Sequence, residues 1–329
     1  MKICIDCAGA ESGLCAPVDG IIRALNEFSD IEIIACGDEK LLSAALSGKQ
    51  YDSKRLSVFH APDIISMHDP PAKAVREKPR ASMSVAFDAV KNGDADIIIS
   101  SGSTGALLSG AVIKLGRIKG VLRPAMAPVV PTATGQAILI DCGANSDCKP
   151  EYLLQFAQMA AIYVHEVFHV VNPIVGLVNI GTEEAKGNEL AREAYKLLKA
   201  SDLNFIGNVE RDLLSGQCDV LVTDGFTGNV ILKHSESIAK MLFSMIKDAM
   251  TANLMKKLAA AVLKPSLSAL KDRFNADEYG GALFLGVKAG VIKVHGNSTA
   301  NNFYAAIKQA RLFIAGNVVV RIESALTKE

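Results

Sequence analysis

The feature that most constrains this fold is the regular alternation of short apolar runs with longer stretches of helical periodicity. Most of the runs are nearly continuous Val, Ile and Leu, as expected for parallel strands with both faces covered. The alternation predicts an α/β fold, an open and mostly parallel sheet with helices on both faces. The predicted strands are Ile3–Cys7, Ile31–Cys36, Leu56–His60, Asp96–Ser100, Ala137–Asp141, Ile174–Ile180, Asn204–Ile206, Val220–Thr223 and Val291–His295. The predicted helices lie at 16–28, 38–46, 81–91, 104–116, 150–169, 187–199, 228–250 and 300–313.

One segment departs from this alternation, because two helical patterns follow each other without a strand between them. Pro265 separates the two patterns. We therefore predict one domain spanning 1–329, with a helical hairpin inserted at about 235–274. The hairpin has two open interpretations: a helical pair packed on the body or on a second subunit, and an amphipathic element with a basic edge that rests on a membrane surface.

Composition and charge exclude several classes of protein. Lys plus Arg and Asp plus Glu both number 35, so there is no basic field of the kind that binds nucleic acid. A charge at Asp6 interrupts the first apolar run, and no stretch reaches the roughly 18 apolar residues of a spanning helix. We expect a cytoplasmic protein whose seven cysteines are reduced. Cys4 and Cys7 form a C-x-x-C pair without a second pair at zinc-site spacing, so we predict no metal.

The loop that follows the fourth predicted strand has the composition of an anion site. Free N–H groups at the start of the next helix attract anions, and Gly102 and Gly105 let the backbone approach a ligand closely. Ser103 and Thr104 add hydroxyl donors. The competing interpretation is a capped helix with a tight turn that binds nothing.

Other predicted strands also end in polar loops. Asn145 lies in the first of these, before the start of a helix. Lys186 lies in the next, where a lysine can neutralise a phosphate or an oxyanion, or can be a solvated surface charge. Asn229 stands near a later helix start and can donate and accept hydrogen bonds. His295 ends the last predicted strand, as a titratable cleft residue or as a structural group.

The sequence at 165–169 matches H-E-x-x-H, the signature of zinc proteases. Its predicted helix begins at Pro150, so the motif lies about four to five turns from the sheet edge. Asn172 and Val175 occupy the positions of the glycine and third histidine of the extended motif. We therefore predict no zinc protease. Dinucleotide-binding, P-loop and serine-elbow motifs are also missing from the sequence.

Short motifs run in order along nearly the whole chain. They are S-G-S-T-G-A at 101–106, L-G-R-I-K-G at 115–120, R-P-A at 123–125, D-C-G-A-N at 141–145, D-C-K-P-E-Y-L at 147–153, N-I-G-T-E-E and K-G-N-E at 179–189, F-I-G-N-V-E at 205–210, D-G-F-T-G-N at 224–229 and E-Y-G-G-A at 278–282. This combination resembles the acyl carrier protein:phosphate acyltransferase (PlsX) family. The chain departs from the family at 7–11, where a second glycine and a second aspartate are replaced, and at Ser103, where the family has an asparagine.

The resemblance implies a three-layer α/β/α sandwich like that of isopropylmalate dehydrogenases and phosphotransacetylases, acting as a homodimer. It implies transfer of a fatty acyl group from acyl carrier protein to inorganic phosphate, giving acyl-phosphate for phosphatidic acid and phospholipid synthesis, with no cofactor. It further implies that the hairpin touches the membrane surface, where the product passes to a membrane-bound glycerol-3-phosphate acyltransferase. Leu258, Val262 and Leu263 are our candidates for that contact.

Site residues are assigned on the same basis. We expect Lys186, with Asn145 or Asn229, to stabilise the tetrahedral oxyanion. Helix starts after 102 and 228 are expected to cradle the phosphate, and His295 to assist the proton balance. The predicted substrate-binding residues are Asp6, Gly9, Gly102, Ser103, Thr104, Gly105, Asn145, Thr182, Asn188, Asp224 and Thr227; the predicted catalytic residues are Lys186, Asn229 and His295.

Three rival functions remain open from the sequence. One is a phosphotransacetylase-like enzyme that uses short acyl-CoA. Another is a non-catalytic carrier-binding or membrane-docking relative, which the departures at 7–11 and Ser103 make plausible. The third is a dehydrogenase on the same general fold.

Overall fold

The computed structural model describes residues 1–10, 13–251, 257, 260, 262–267 and 280–327. It shows a mixed α/β fold with two mostly parallel sheets, which confirms the predicted fold class. Each predicted strand is present close to its predicted bounds. The strands are β1 (Lys2–Asp6), β2 (Glu32–Gly37), β3 (Leu56–His60), β4 (Ile97–Ser100), β5 (Ala125–Ala127), β6 (Val129–Pro131), β7 (Gln136–Ile140), β8 (Ile174–Val178), β9 (Asn204–Val209), β10 (Val220–Val222), β11 (Ala282–Leu285) and β12 (Gly290–Lys293).

The helices also follow the predicted pattern, with additions. The predicted helix at 104–116 is a short α-helix continued by a π-helical turn at Ala111–Leu115. Two helices, the third and the last along the chain, were not predicted. The α-helices are α1 (Cys15–Glu27), α2 (Glu39–Leu46), α3 (Pro71–Glu77), α4 (Ser82–Asn92), α5 (Thr104–Gly110), α6 (Pro150–Phe168), α7 (Glu189–Lys199), α8 (Gly225–Thr251), α9 (Ala300–Ala315) and α10 (Val318–Leu326).

Alternating side chains of the strands enter two separate hydrophobic cores. In β1, Ile3 and Ile5 belong to one core, which also receives residues of α1, α6 and α9. Cys4 points to the other face and belongs to the second core, with residues of α4 and α5. This division follows from the two-residue period of a strand, and it explains why the strands read as continuous apolar runs.

The strand order divides the polar loops into two sets. The first sheet has the order β3-β2-β1-β4-β12-β11-β5, and the second has the order β6-β7-β10-β8-β9. β5 is antiparallel to β11, and β11 is antiparallel to β12, so β5 runs in the same direction as β12 and β4.

The same extended segment continues into the second sheet, since Pro128 alone separates β5 from β6. β6 is antiparallel to β7, and this ladder extends back to β5, where the N–H of Cys142 donates to the carbonyl of Met126 at 3.0 Å. The parallel strands of the two sheets therefore run in opposite directions. A single open sheet would bring every polar loop to one edge, whereas here the loops after β1, β4 and β12 form one set and those after β7, β8 and β10 form another.

The long helix α8 forms the first part of the predicted hairpin. It is continuous over 27 residues, and only Gly225 and Gly228 are buried. Apolar side chains beyond its middle stay 38–59% exposed, so the body of this chain does not cover them. Residues 262–267 are helical, so Pro265 lies within a helical stretch and the prediction that it separates the two helices was wrong. Leu258 and most of the predicted connection between the two helices lie outside the described residues. The exposed apolar residues of α8 beyond its middle are Ile238, Met241, Leu242, Met245 and Ile246.

Candidate active site

Asp6 is the centre of the first set of loops. It ends β1 and is 1% exposed. Ser82 donates to its Oδ1 at 2.5 Å, and Ser100 donates to its Oδ2 at 2.7 Å. The backbone N–H of Gly9 also donates to Oδ1, at 3.2 Å. Burial raises the pKa of Asp6 above its usual value, while these hydrogen bonds oppose the rise. The carboxyl group thus ties the ends of β1, β4 and α4 together.

The glycines of the first set are explained by contacts within the protein. A Cβ on Gly9 would lie 2.9 Å from the nitrogen of Gly102, so the two loops meet with only backbone between them. A Cβ on Gly102 would lie 2.8 Å from Met83, and one on Gly105 would lie 2.8 Å from Pro71. The approach of Gly9 to the backbone of Gly102 requires glycine whether or not a ligand is bound, whereas the methyl of Met83 can move away from a side chain at position 102.

The hydroxyls of this set have different surroundings. Ser103 caps α5, since its Oγ accepts a hydrogen bond from the N–H of Ala106 at 3.4 Å. Thr104, the first residue of α5, is partly exposed. The Oγ of Ser101 is buried and has no hydrogen-bond partner within the described part of the chain. The ammonium of Lys293 donates to the carbonyl of Ser101 at 3.1 Å.

Asp141 is the centre of the second set, at the end of β7. Its Oδ1 accepts hydrogen bonds from the N–H of Met126 at 2.8 Å and of Ala144 at 3.2 Å. Its Oδ2 accepts two from Asn145, from the backbone N–H at 2.7 Å and from Nδ2 at 3.0 Å. Burial raises the pKa of Asp141, and these donors oppose the rise. The carboxyl group therefore fixes the orientation of the predicted site residue Asn145.

The start of α8 packs directly against Asp141. A Cβ on Gly225 would lie 2.6 Å from its Oδ2, and a Cβ on Gly228 would lie 2.0 Å from its backbone oxygen. Asp224 caps the helix, since it accepts hydrogen bonds from the N–H of Thr227 at 2.9 Å and from its hydroxyl at 2.7 Å. Asp224 and Thr227 are thus placed beside the Asp141 loop.

The structure brings the predicted residue Asn229 to the same loop as Asn145. A Cβ on Gly143 would lie 3.6 Å from the side-chain carbon Cγ of Asn229, and Gly143 has a φ of +106° that favours glycine. Asn145 also donates to the carbonyl of Pro124 at 2.8 Å. The side chain of Asn229 therefore packs against the glycine turn of the loop that holds Asn145.

Lys186 lies in an ordered and exposed loop after β8. The Nδ2 of Asn179 donates to its carbonyl at 3.1 Å. The amide of Asn208 donates to the carbonyl of Glu183 at 2.8 Å, which secures the other side of the loop. Thr182 is exposed, and Asn188 caps α7 by accepting the N–H of Ala191 at 2.9 Å. The backbone of this loop is therefore held by side-chain amides while the side chain of Lys186 is exposed.

His295 stands between the two sets of loops. It follows β12, whose neighbour β4 ends at Ser100. Burial and the positive charges of Lys233, Lys293 and Lys240 lower the pKa of His295, and Glu236 acts in the opposite direction. The helix α8 begins beside Asp141, and its residues Lys233 and Lys240 lie close enough to His295 to lower its pKa. This helix therefore links the two sets of loops.

Several residues of this arrangement were missed by the sequence reasoning. Asp141 carried a signal, a carboxylate directly after a buried strand and before a glycine. The sequence signal for Lys233 and Lys293 was weak, because lysines are common on helix surfaces and strand ends. Ser82 carried none, since its role depends on Asp6, which is distant in sequence.

The described residues contain no group of three histidine, cysteine or acidic side chains that could hold a metal ion. In the H-E-x-x-H motif, Glu166 pairs with Arg321 at 3.4 Å, and His169 ends α6 in a left-handed conformation. Cys4 and Cys7 are both buried. Among the residues described, no helix is both long enough and apolar enough to cross a membrane.

Comparison with known proteins gives concordant matches. A family model described as fatty acid synthesis protein matches residues 1–321. A phosphate acyltransferase of Clostridium novyi is 44% identical over 325 residues, 98% of each chain. A phosphate acyltransferase of Bacillus licheniformis is 45% identical over 331 residues, 100% of this chain and 99% of the relative.

Solved structures resemble the fold at low sequence identity. A phosphotransacetylase from Streptococcus pyogenes superposes with a TM-score of 0.63 at 15% identity, covering 97% of this chain and 94% of that one. A 4-hydroxythreonine-4-phosphate dehydrogenase from Klebsiella pneumoniae gives a TM-score of 0.54 at 14% identity, covering 96% and 98%. These likenesses bear on the fold alone, which is shared by transferases and dehydrogenases.

Proposed function

The chain belongs to the fatty acid synthesis protein family and is an acyltransferase enzyme, and on this premise we propose that it transfers a fatty acyl group from acyl carrier protein to inorganic phosphate. The product is acyl-phosphate, which supplies phosphatidic acid and phospholipid synthesis. The observation that carries the proposal is the similarity to phosphate acyltransferases over nearly the full length of both chains.

The reaction is a direct acyl transfer. An oxygen of phosphate attacks the carbonyl carbon of the thioester and forms a tetrahedral oxyanion. The carbon–sulfur bond then breaks, and the carrier leaves as a thiolate that takes a proton from water. Phosphate is already anionic at neutral pH, so it needs positioning more than deprotonation. The enzyme therefore has to bind two negatively charged groups, the phosphate and the developing oxyanion.

The proposed roles use the side chains that project from ordered loops. Lys186 stabilises the oxyanion, with Asn229 as the second donor, because Asp141 and the carbonyl of Pro124 already accept from the amide of Asn145. The exposure of Lys186 and the contact of Asn229 with the Gly143 turn support this assignment. The start of α5 after Gly102 binds phosphate, and His295 assists the proton balance within its cluster of lysines. The start of α8 is not assigned this role, because it lies at Gly225 and its first N–H groups donate to Asp224 and to the carbonyl of Asn145.

The other predicted residues are proposed to shape the substrate site. Asp6 and Gly9 hold the loop beside Gly102 in place through the contacts described above. Asp224 and Thr227 fix the first turn of α8 beside Asn145. Asn188 and Thr182 belong to the loop of Lys186, where Asn188 fixes the start of α7.

A second candidate function is a phosphotransacetylase-like reaction with short acyl-CoA. The fold resemblance to phosphotransacetylases favours it, at 15% identity. Both reactions use phosphate, so only the acyl donor separates them.

The test measures free thiol released from long-chain acyl carrier protein and from acetyl-CoA, each with and without inorganic phosphate. Phosphate-dependent release from the long-chain donor supports the proposal. Release from acetyl-CoA alone supports the second candidate. No phosphate-dependent release from any thioester would refute both.

We further propose a homodimer in the cytoplasm that associates peripherally with the membrane and delivers its product to a membrane-bound glycerol-3-phosphate acyltransferase. The uncovered apolar residues of α8 support such contacts, as do Val262 at 80% and Leu263 at 50% exposure. Vesicle sedimentation of Val262→Asp/Leu263→Asp against wild type tests the membrane contact. Val171→Asp, at a site 85% exposed after α6, is the matched control. Equal sedimentation of all three proteins would contradict the assignment, and sedimentation velocity reports the oligomeric state.

A further inference from the structure

An open cavity of about 410 Å³ lies beside the Asp141 loop and has no role in the reaction described above. It is formed by the end of the π-helical turn, the segment that leads into β5, and the first turn of α6. Its lining combines two guanidinium groups with apolar and aromatic surface and contains no acidic residue. The lining residues are Val112, Arg117, Leu122, Arg123, Pro124 and Tyr152.

What distinguishes these two arginines is that both line one cavity, since other arginines, such as Arg23 and Arg192, also lack a carboxylate partner. Arg55, Arg311 and Arg321 each form an ion pair with a carboxylate. Across the described residues, no carboxylate lies within ion-pair distance of Arg117 or Arg123. A pair of guanidinium groups without carboxylate partners in an open cavity is suited to binding an anion, and planar guanidinium groups match the oxygens of a phosphate.

The protein holds this cavity in a fixed shape. Arg117 donates to the carbonyl of Leu122, and the guanidinium of Arg123 lies 5.9 Å from the centre of the Tyr152 ring. Gln155 accepts the N–H of Leu122 at 2.8 Å and donates to the carbonyl of Gly120 at 2.9 Å. These contacts restrain both arginines before any ligand arrives, which lowers the cost of binding.

The cavity is connected to the proposed reaction site through Pro124. Pro124 lines the cavity, and its carbonyl accepts a hydrogen bond from Asn145 at 2.8 Å. A ligand in the cavity therefore lies one residue from the Asp141 loop, which Asn229, the proposed oxyanion donor, also contacts. This placement fits a group attached to the acyl donor, since free phosphate has to reach the carbonyl carbon itself.

We propose that Arg117 and Arg123 bind the phosphate of a phosphopantetheine thioester, the arm shared by acyl carrier protein and coenzyme A. Leu122, Val112 and the ring of Tyr152 contact the aliphatic part of the arm. This inference rests on the proposed function, because it assumes that the acyl donor is a pantetheine thioester. It adds that the donor is recognised through a charge remote from the reacting carbon, which positions the thioester.

A binding experiment tests the inference without depending on turnover. Phosphopantetheine and pantetheine, which differ by the phosphate alone, are titrated calorimetrically into the wild-type protein and into Arg123→Gln and Arg117→Gln. Because both arginines are exposed and water weakens their charged hydrogen bonds, wild type is expected to prefer phosphopantetheine by roughly tenfold to a hundredfold. Each variant is expected to lose most of this preference. Arg321→Gln, at an arginine of α10 that lies outside the cavity, is expected to keep it.

Equal affinity of wild type for both compounds would overturn the inference, as would a full preference in both cavity variants. Thermal unfolding of each variant confirms that it is folded; Arg117→Lys keeps the charge if Arg117→Gln does not fold.

A kinetic experiment identifies the source of the phosphate. Equal increases in KM for acyl-CoA and acyl carrier protein support recognition of the arm, whereas an increase for the carrier alone would indicate contact with its protein surface and overturn the inference. If the proposed function itself is wrong, a different result is seen: wild type shows no phosphate-dependent thiol release.

Discussion

Replacing Asp141 with asparagine tests whether one buried carboxylate organises the second set of loops. The replacement keeps the shape of the side chain but removes its charge. Oxygens at both positions now accept two hydrogen bonds each, from Met126 and Ala144 on one side and from Asn145 on the other. An amide can offer its oxygen to only one of these pairs, and its NH₂ group then faces two donors.

The expected loss of stability follows from these contacts. Two buried N–H donors are left facing the NH₂ group without an acceptor, which costs about 1–3 kcal/mol each. The raised pKa of Asp141 shows that burying its charge carries a penalty, and the neutral amide removes that penalty, which offsets part of the cost. We expect Asp141→Asn to lower the free energy of unfolding by about 2–4 kcal/mol at neutral pH.

Urea unfolding followed by circular dichroism measures this change. Asp147→Asn is the matched control, because Asp147 lies in the same loop but is exposed. Burial makes the folded state bind a proton at Asp141 more tightly than the unfolded chain does. The advantage of wild type over Asp141→Asn should therefore grow as the pH falls through the raised pKa towards the ordinary value near 3.8. A loss no larger than that of Asp147→Asn would refute the organising role.

Three further predictions concern the candidate site. Lys186→Ala should lower kcat by roughly a hundredfold or more in the thiol-release assay, because an oxyanion donor acts mainly in the transition state. His295 should titrate below its ordinary pKa of 6.5 in an NMR experiment, and Lys233→Met should raise that midpoint by removing a nearby positive charge. Gly228→Ala should reduce the yield of folded protein, or Tm by several degrees, because the new Cβ would lie 2.0 Å from the backbone oxygen of Asp141.

Each of these has an outcome that contradicts it. Full turnover by Lys186→Ala would remove Lys186 from the mechanism, with Lys196→Ala, an exposed lysine of α7, as the control. An unchanged midpoint of His295 in Lys233→Met would mean that the charge of Lys233 does not lower its pKa. Wild-type stability of Gly228→Ala would show that α8 can move away from the Asp141 loop, and Gly135→Ala, where no atom lies within 4 Å of the new Cβ, gives the baseline.

The long-range architecture was harder to predict than the individual elements. β5 and β6 are three residues each and β11 is four, and all three pair antiparallel, so their short runs carry no distinct apolar pattern. Whether the parallel strands form one sheet or two depends on these segments. The opposite direction of the two groups of strands therefore could not be derived from the sequence.

Part of the candidate site could likewise be predicted from the sequence, and part could not. Polar loops after buried strands were predicted, because strand ends in α/β proteins carry binding residues. The hydrogen bonds from Ser82 to Asp6 and from Asn145 to the carbonyl of Pro124 join residues distant in sequence. The cavity of Arg117 and Arg123 likewise requires α6 to return beside β5, which no local pattern indicates.

The sequence by itself determined the α/β class, most of the strand and helix positions and the family, because apolar periodicity and ordered motifs are local properties of the chain. Tertiary structure alone decided that the loops form two sets, that α8 links them through Lys233 near His295, and that Asp141 orients Asn145. The physical reason is that buried polar groups must find hydrogen-bond partners wherever the packed strands bring them. Those partners are set by strand order and direction, which residues far apart in the chain fix together.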